Sequence, residues 1–176
     1  MLINNFISLI ASAFYYGFGW LKASLQGVKL SPGARISPHA NVRKAAFIGN
    51  AVIGRNVVLG RGTYINSGTI ASATIGDYCS IAYGVMIGPT EHKVDYWTTS
   101  PYEAIDNGFL EDAVIEKINN PVIGDGVWIG AHSIILKGVK INNGAVIAAG
   151  AVVVSDIPSN EVWGGVPARF LRKRVI

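Results

Sequence analysis

His92 is the residue best suited to move a proton. It is one of three histidines and stands in the run E-H-K-V-D-Y-W-T-T-S-P-Y, residues 91–102. An imidazole titrates near neutrality, so it can take a proton from a hydroxyl or an amine. Asp95 stands three residues on, where it could orient the ring, contact an acceptor, or cap the loop. Tyr96, Trp97 and Tyr102 could form a stacking wall for a ring-shaped ligand or anchor the loop itself. A second chemical group lies near the end of the chain, where Arg169, Arg172, Lys173 and Arg174 cluster. The formal charge of +4 is modest. Its concentration in these four residues points to one acidic ligand rather than to nucleic acid. The single Cys79 excludes a disulfide framework, which suits a reducing cytoplasm.

A six-residue repeat must position these groups. Aliphatic residues recur at Ile53, Leu59 and Ile65, then at Ile75, Ile81 and Ile87, and again from Ile123 through Ile129, Ile135, Ile141 and Ile147 to Val153. The fourth position after most of these is small or β-branched, as at Val57, Thr63, Thr69, Cys79, Val85, Val127, Ser133, Val139, Ala145 and Ala151. A helix needs a period of 3.6 and a strand a period of 2, and sixes fit neither. They fit a chain that makes a short strand, turns a corner and repeats, so that three sides close a coil of eighteen residues. Coils then stack at roughly 4.8 Å. Ile65 to Ile75 is ten residues, which predicts one shortened hexad near Ala71 to Thr74. The earlier set, Ile36, Val42 and then Phe47 or Ile48, reads as irregular, as terminal coils often are.

The pattern predicts an all-β solenoid in one domain, a left-handed parallel β-helix over 28–158. An apolar helix over 1–27 precedes it, and a basic tail or short helix over 159–176 follows. Between Ile87 and Ile123 the register breaks, and a long insertion in a compact solenoid is usually functional. The predicted catalytic loop is 88–121, with His92 at its start. Residues 1–21 carry no charged side chain. Without a basic leader or cleavage site they do not read as a signal peptide. Polar residues and two glycines weaken a bilayer span. The leading reading is a helix packed on the solenoid or on a neighbouring subunit. Peripheral membrane contact is the second, with Trp20 and the tyrosines suited to an interface.

The hexads, the His92 loop, G-D-G-V-W-I-G-A-H-S-I-I-L-K-G-V, G-A-V-I-A-A-G-A-V-V-V-S-D-I-P and the ending W-G-G-V-P-A-R-F-L-R-K-R together resemble the hexapeptide-repeat acyltransferases. The similar branch holds xenobiotic and polysaccharide or sugar O-acetyltransferases, and the likeness covers residues 28–174. The resemblance implies a homotrimer with acetyl-CoA bound between neighbouring prisms and no metal. It implies His92 as general base. It implies Ala131 and Ala149, eighteen apart, against the pantetheine arm, with Trp128 covering the cofactor or packing outside the coil. Val154 and Ser155 stand where many relatives carry Thr-Lys, and Arg169, Arg172 and Lys173 match basic residues near the phosphates. On the acceptor side it implies Asn66, with Asp95, Tyr96 and Trp97 from the loop. Lys93 departs from the family's frequent Pro after the histidine.

The expected activity is O-acetylation of a sugar hydroxyl in a bacterial surface polysaccharide or its precursor, in the cytoplasm or at the inner face of the membrane. Antibiotic O-acetylation is the alternative. Two other classes compete. A zinc enzyme on this fold needs converging histidines, and His39, His92 and His132 lack a close pair. A non-catalytic trimeric scaffold is the third reading.

Overall fold

The computed structural model describes residues 2–175. A helix, α1 (Leu2–Leu25), opens the chain and ends at Gly27, whose φ of 82° takes the left-handed conformation that terminates helices. It packs on the first coil. Gly19 is buried there, because a side chain would collide with the Ile36 carbonyl. Tyr15 and Ser37 hydroxyls are 2.6 Å apart, and Lys22 Nζ donates to the Pro38 carbonyl at 2.6 Å. The helix therefore closes one end of the solenoid, where an apolar prism would otherwise meet water.

The rest of the chain winds into parallel ladders on three faces. On the first face Leu30, Ile48, Ile65, Ile81, Ile129 and Ile147 are in register, followed by Trp163. On the second, Ile36, Ile53, Ile70, Ile87, Ile135 and Val153 stack. On the third, Leu59, Ile75, Ile123 and Ile141 follow one another. From Ile36 to Val153 these inward residues are at most 2% exposed, so each contributes roughly 1.5–3 kcal/mol of burial. The six-residue repeat of this solenoid fits the left-handed β-helix.

Two register expectations are corrected. Ile70 fills an inward place between Ile65 and Ile75, so that interval is two five-residue sides rather than one hexad cut near Ala71 to Thr74. Thr69 consequently lies on the outer side of its strand, not in a corner. In the first coils Ile48 is the inward residue and Phe47 its outward neighbour.

Corners are tied by side chains. Asp77 Oδ1 accepts from the Arg61 N–H at 2.7 Å, Asp125 Oδ1 from the Asp77 N–H at 2.7 Å, and Asn143 Oδ1 from the Asp125 N–H at 2.9 Å. The C-terminal segment is neither tail nor helix. Strand Glu161–Gly164 adds a parallel rung beyond residue 158, and Arg169–Lys173 folds back antiparallel upon it.

Candidate active site

Residue 88 leaves the solenoid at the end of the second face, and the chain rejoins it at Val122 on the third. The intervening loop carries a short helix, α2 (Pro101–Asp106), capped by Ser100, whose hydroxyl accepts from the Glu103 N–H. Its two legs are zipped beside His92. Lys93 N–H donates to the Val114 carbonyl at 2.8 Å, and Glu116 N–H to the Glu91 carbonyl at 2.8 Å. Glu91 also accepts from the Lys137 N–H at 3.1 Å, which ties the loop to the coil below. The His92 backbone is thus fixed on both sides while its side chain is exposed. Lys93 explains its own departure from proline: the bond to Val114 needs an N–H that proline lacks. Its ammonium then caps the Ala113 carbonyl at 2.8 Å.

Asp95 is exposed, and among the described residues no hydrogen bond joins it to His92. Tyr96 and Trp97 pack with Phe109, with ring centroids 6.4 and 5.7 Å from that phenyl. This is an anchoring cluster within the loop, and it leaves Trp97 half exposed at 51%. The three histidines lie on separate elements, and no group of three potential metal ligands occurs among the described residues.

A long cavity runs along the outside of the first face. It has a volume of about 870 Å³ and is lined by Tyr64, Tyr78, Ser80, Trp128, Val146, Val162, Arg172 and Arg174, among others. It continues past Trp128, Val146 and Val162 into an apolar groove of about 520 Å³ at the corner of the first and second faces. There Ala82, Gly130, Ala131, Ala148 and Ala149 leave room beside the backbone. Gly150 N–H donates to the Ala131 carbonyl at 2.8 Å, so the two coils are in direct contact at this edge.

The structure brings Trp128, Ala131, Ala149 and Arg172 together. Asn66 belongs to the same edge: it follows Ile65, so it stands in one column with Ala82, Gly130 and Ala148. Val154, Ser155, Arg169 and Lys173 do not line either cavity, and Arg169 donates to the Ala168 carbonyl beside it. Arg174, read from sequence as part of the cationic cluster, does line the cavity, whereas sequence reasoning missed Tyr64, Tyr78, Val146 and Val162. For Tyr64 and Val146 the signal was the place just before an inward aliphatic, since those residues stack on the outer surface wherever the inward ones stack in the core.

No residue of the 88–121 loop lines the groove. The groove follows the corner between the first and second faces. His92 departs from the corner between the second and third. One chain therefore presents the exposed His92 on one edge and a long cavity on another. The cavity is cationic at one end and apolar with small residues at the other, as suits an extended ligand with a charged head and a slender arm.

A bacterial transferase hexapeptide (six repeats) model matches residues 120–155. The chain is 35% identical over 106 residues to a chloramphenicol acetyltransferase from Escherichia coli, covering 57% of this chain and 50% of that protein. It is 40% identical over 103 residues to the galactoside O-acetyltransferase of Escherichia coli strain K12, covering 58% and 44%. The solved structure of a galactoside acetyltransferase in complex with coenzyme A is similar with a TM-score of 0.58 and 33% identity, covering 75% of this chain and 66% of that one. The chain spans about half the length of the curated relatives it matches.

Proposed function

Because this chain is a member of the hexapeptide-repeat family, we propose that it is an acetyl-CoA-dependent O-acetyltransferase, with a sugar hydroxyl of a bacterial surface polysaccharide or its precursor as acceptor. The observation that carries the reading is the two-ended cavity, cationic at Arg172 and Arg174 and apolar at Ala131 and Ala149. A nucleotide bearing phosphates suits the first end, and a pantetheine arm suits the second. The relative of known structure was solved with coenzyme A.

In this reading the chain acts as a homotrimer, and the His92 loop of one subunit faces the groove of the next. Nε2 or Nδ1 of His92 takes the proton of the acceptor hydroxyl as its oxygen attacks the thioester carbonyl. The tetrahedral intermediate carries its negative charge on the former carbonyl oxygen, within reach of backbone N–H donors at the corner. Collapse breaks the carbon–sulfur bond, and the imidazolium returns its proton to the departing thiolate. The products are an acetyl ester and free CoA thiol. Asn66, Asp95, Tyr96 and Trp97 bound the acceptor side. Arg169, Lys173, Val154 and Ser155 stay at the periphery of the phosphate end.

The galactoside relative favours a sugar acceptor. The chloramphenicol relative, at similar identity and coverage, supports an antibiotic hydroxyl as the second reading. An enzyme supplied by acetyl-CoA works in the cytoplasm, and a lipid-linked glycan acceptor brings it to the inner face of the membrane. A screen of sugar and chloramphenicol acceptors with acetyl-CoA, detecting released thiol, separates the two. His92→Ala is expected to lower turnover of the best acceptor by about 10²–10⁴-fold with the melting temperature unchanged, since the side chain is exposed. Full turnover in that variant overturns the base assignment. A chain that turns over nothing in the screen while binding CoA is a scaffold.

A further inference from the structure

Charge is distributed along this chain in a way that its net value conceals. All 11 acidic residues lie at or beyond Asp77, whereas Lys22, Lys29, Arg35, Arg43, Lys44, Arg55 and Arg61 precede it. Residues 1–76 carry +7 and residues 77–176 carry −3. The expected concentration of charge in the last residues is therefore incomplete, because acids of the 88–121 loop and of later coils offset it. The stronger asymmetry lies at the opposite end of the prism.

Five of the early cations surround the root of α1. Lys22 is on the helix, and Arg35 holds its guanidinium 4.5 Å from the centre of the Tyr16 ring. Lys29 is on the first face, and Arg43 and Lys44 are on the last side of the first coil; Lys29, Arg35, Arg43 and Lys44 are exposed. None of the five has a carboxylate partner within 4 Å among the described residues, where the one ion pair is Arg61 with Asp77.

The helix they surround is apolar where it should meet water. Phe6, Ile7, Leu9, Ile10, Phe14, Phe18, Leu21 and Leu25 are all exposed, Phe14 at 76%. From residue 6 to 11 every side chain is exposed, so this end of the helix projects beyond the coil it packs on. No helix among the described residues is long and apolar enough to cross a membrane.

We propose that this end of the molecule docks on an anionic lipid bilayer, with the projecting turns of α1 set in the headgroup and acyl boundary and the cation collar against the lipid phosphates. An apolar helix and a basic patch are the two signals that together give stable peripheral binding, each being weak alone. A second copy of the chain is the less favoured occupant. A symmetric helix pairing brings like surface to like surface, and here it brings the same uncompensated cations toward one another. The proposal stands apart from the catalytic reading, because none of these residues lines the groove or belongs to the His92 loop.

The test is sedimentation of the full chain with vesicles of phosphatidylcholine containing one quarter phosphatidylglycerol, against phosphatidylcholine alone. Partition into the anionic vesicles is expected to be at least about tenfold stronger and to fall when salt rises to about 0.5 M. Ile7→Ser with Phe14→Ser and Phe18→Ser, and separately Arg43→Glu with Lys44→Glu, are each expected to weaken it by about tenfold or more. All five positions are exposed, so the folded core is unaffected. Equal partition into both vesicle types, or parental binding by both variants, overturns the proposal. So does a parent that fails to bind vesicles yet assembles to a larger species than the serine variant in vesicle-free buffer, which identifies a second copy as the occupant.

Discussion

Cys79 occupies a corner that admits only small side chains, and its thiol is spent on the backbone. Sγ donates to the Gly124 carbonyl at 3.0 Å, while the Cys79 N–H donates to Thr63 Oγ1 at 2.9 Å. Burial pushes the thiol pKa up, and the nearby Asp125 carboxylate pushes in the same direction. The folded state thus holds its proton more tightly than the unfolded chain. The thiol's contribution to stability is complete below the unfolded pKa, about 8.5, and is lost as pH rises through the elevated folded value. Urea midpoints at pH 8 and pH 10.5 are expected to fall less in Cys79→Ala than in the parent, since Ala145 and Ala151 fill equivalent corners. An equal fall in both proteins shows the thiol to be uncoupled from folding. Much of this residue scale was legible in advance. Trp128, Ala131 and Ala149 meet in one groove because the coil spacing places them there, and Arg172 reaches it from the antiparallel strand. Val154 and Ser155 do not line it because they follow the second face, at its corner with the third, and Arg169 and Lys173 do not because likeness of sequence carries no information on which way an exposed strand turns its side chains.

The element scale is governed by how closely coils approach. At Gly54 an added Cβ would penetrate the Ala71 carbonyl of the next coil, and φ there is not positive, so the conflict is one of space alone. Gly54→Ala is expected to lower the stability of the folded chain by roughly 1–3 kcal/mol in denaturant melts, through overpacking that the stacked backbones cannot relieve. Gly17, which meets nothing within 4 Å, gives the control substitution to alanine. Inward rows of the regular coils were readable from sequence because each side contributes one aliphatic at fixed spacing. Ile70 was hidden because two five-residue sides sum to an interval that looks like a single deletion. The strand Arg169–Lys173 was hidden for a different reason. Every residue in it is exposed, so it shows no alternation of apolar and polar positions, and only its pairing with Glu161–Gly164 defines it. The His92 loop was found through the failure of the repeat, but its internal zipper at Lys93 and Val114 rests on backbone bonds that no residue type announces.

At the scale of the whole molecule the question is whether one chain holds a complete site. The groove lies along one edge of the prism and the His92 loop leaves from another, and no residue of 88–121 lines the groove. If neighbouring subunits complete each other, two differently disabled chains can restore activity together. His92→Ala removes the proposed base and keeps the groove. Ala149→Trp fills the groove and keeps the base. Each variant alone is expected to be inactive. After the two are unfolded together and refolded at equal concentration, a site is intact whenever an Ala149→Trp chain lends its loop to a His92→Ala neighbour. Random assembly around a cyclic trimer makes this about one site in four, so roughly a quarter of parental turnover is expected, with the parental Michaelis constant for acetyl-CoA. The same two chains mixed without unfolding give the control for subunits that have not exchanged. Recovery that depends on co-refolding requires the site to be shared. Absence of recovery, with mixed trimers demonstrated by mass, would mean that a single chain bends its own loop onto its own groove.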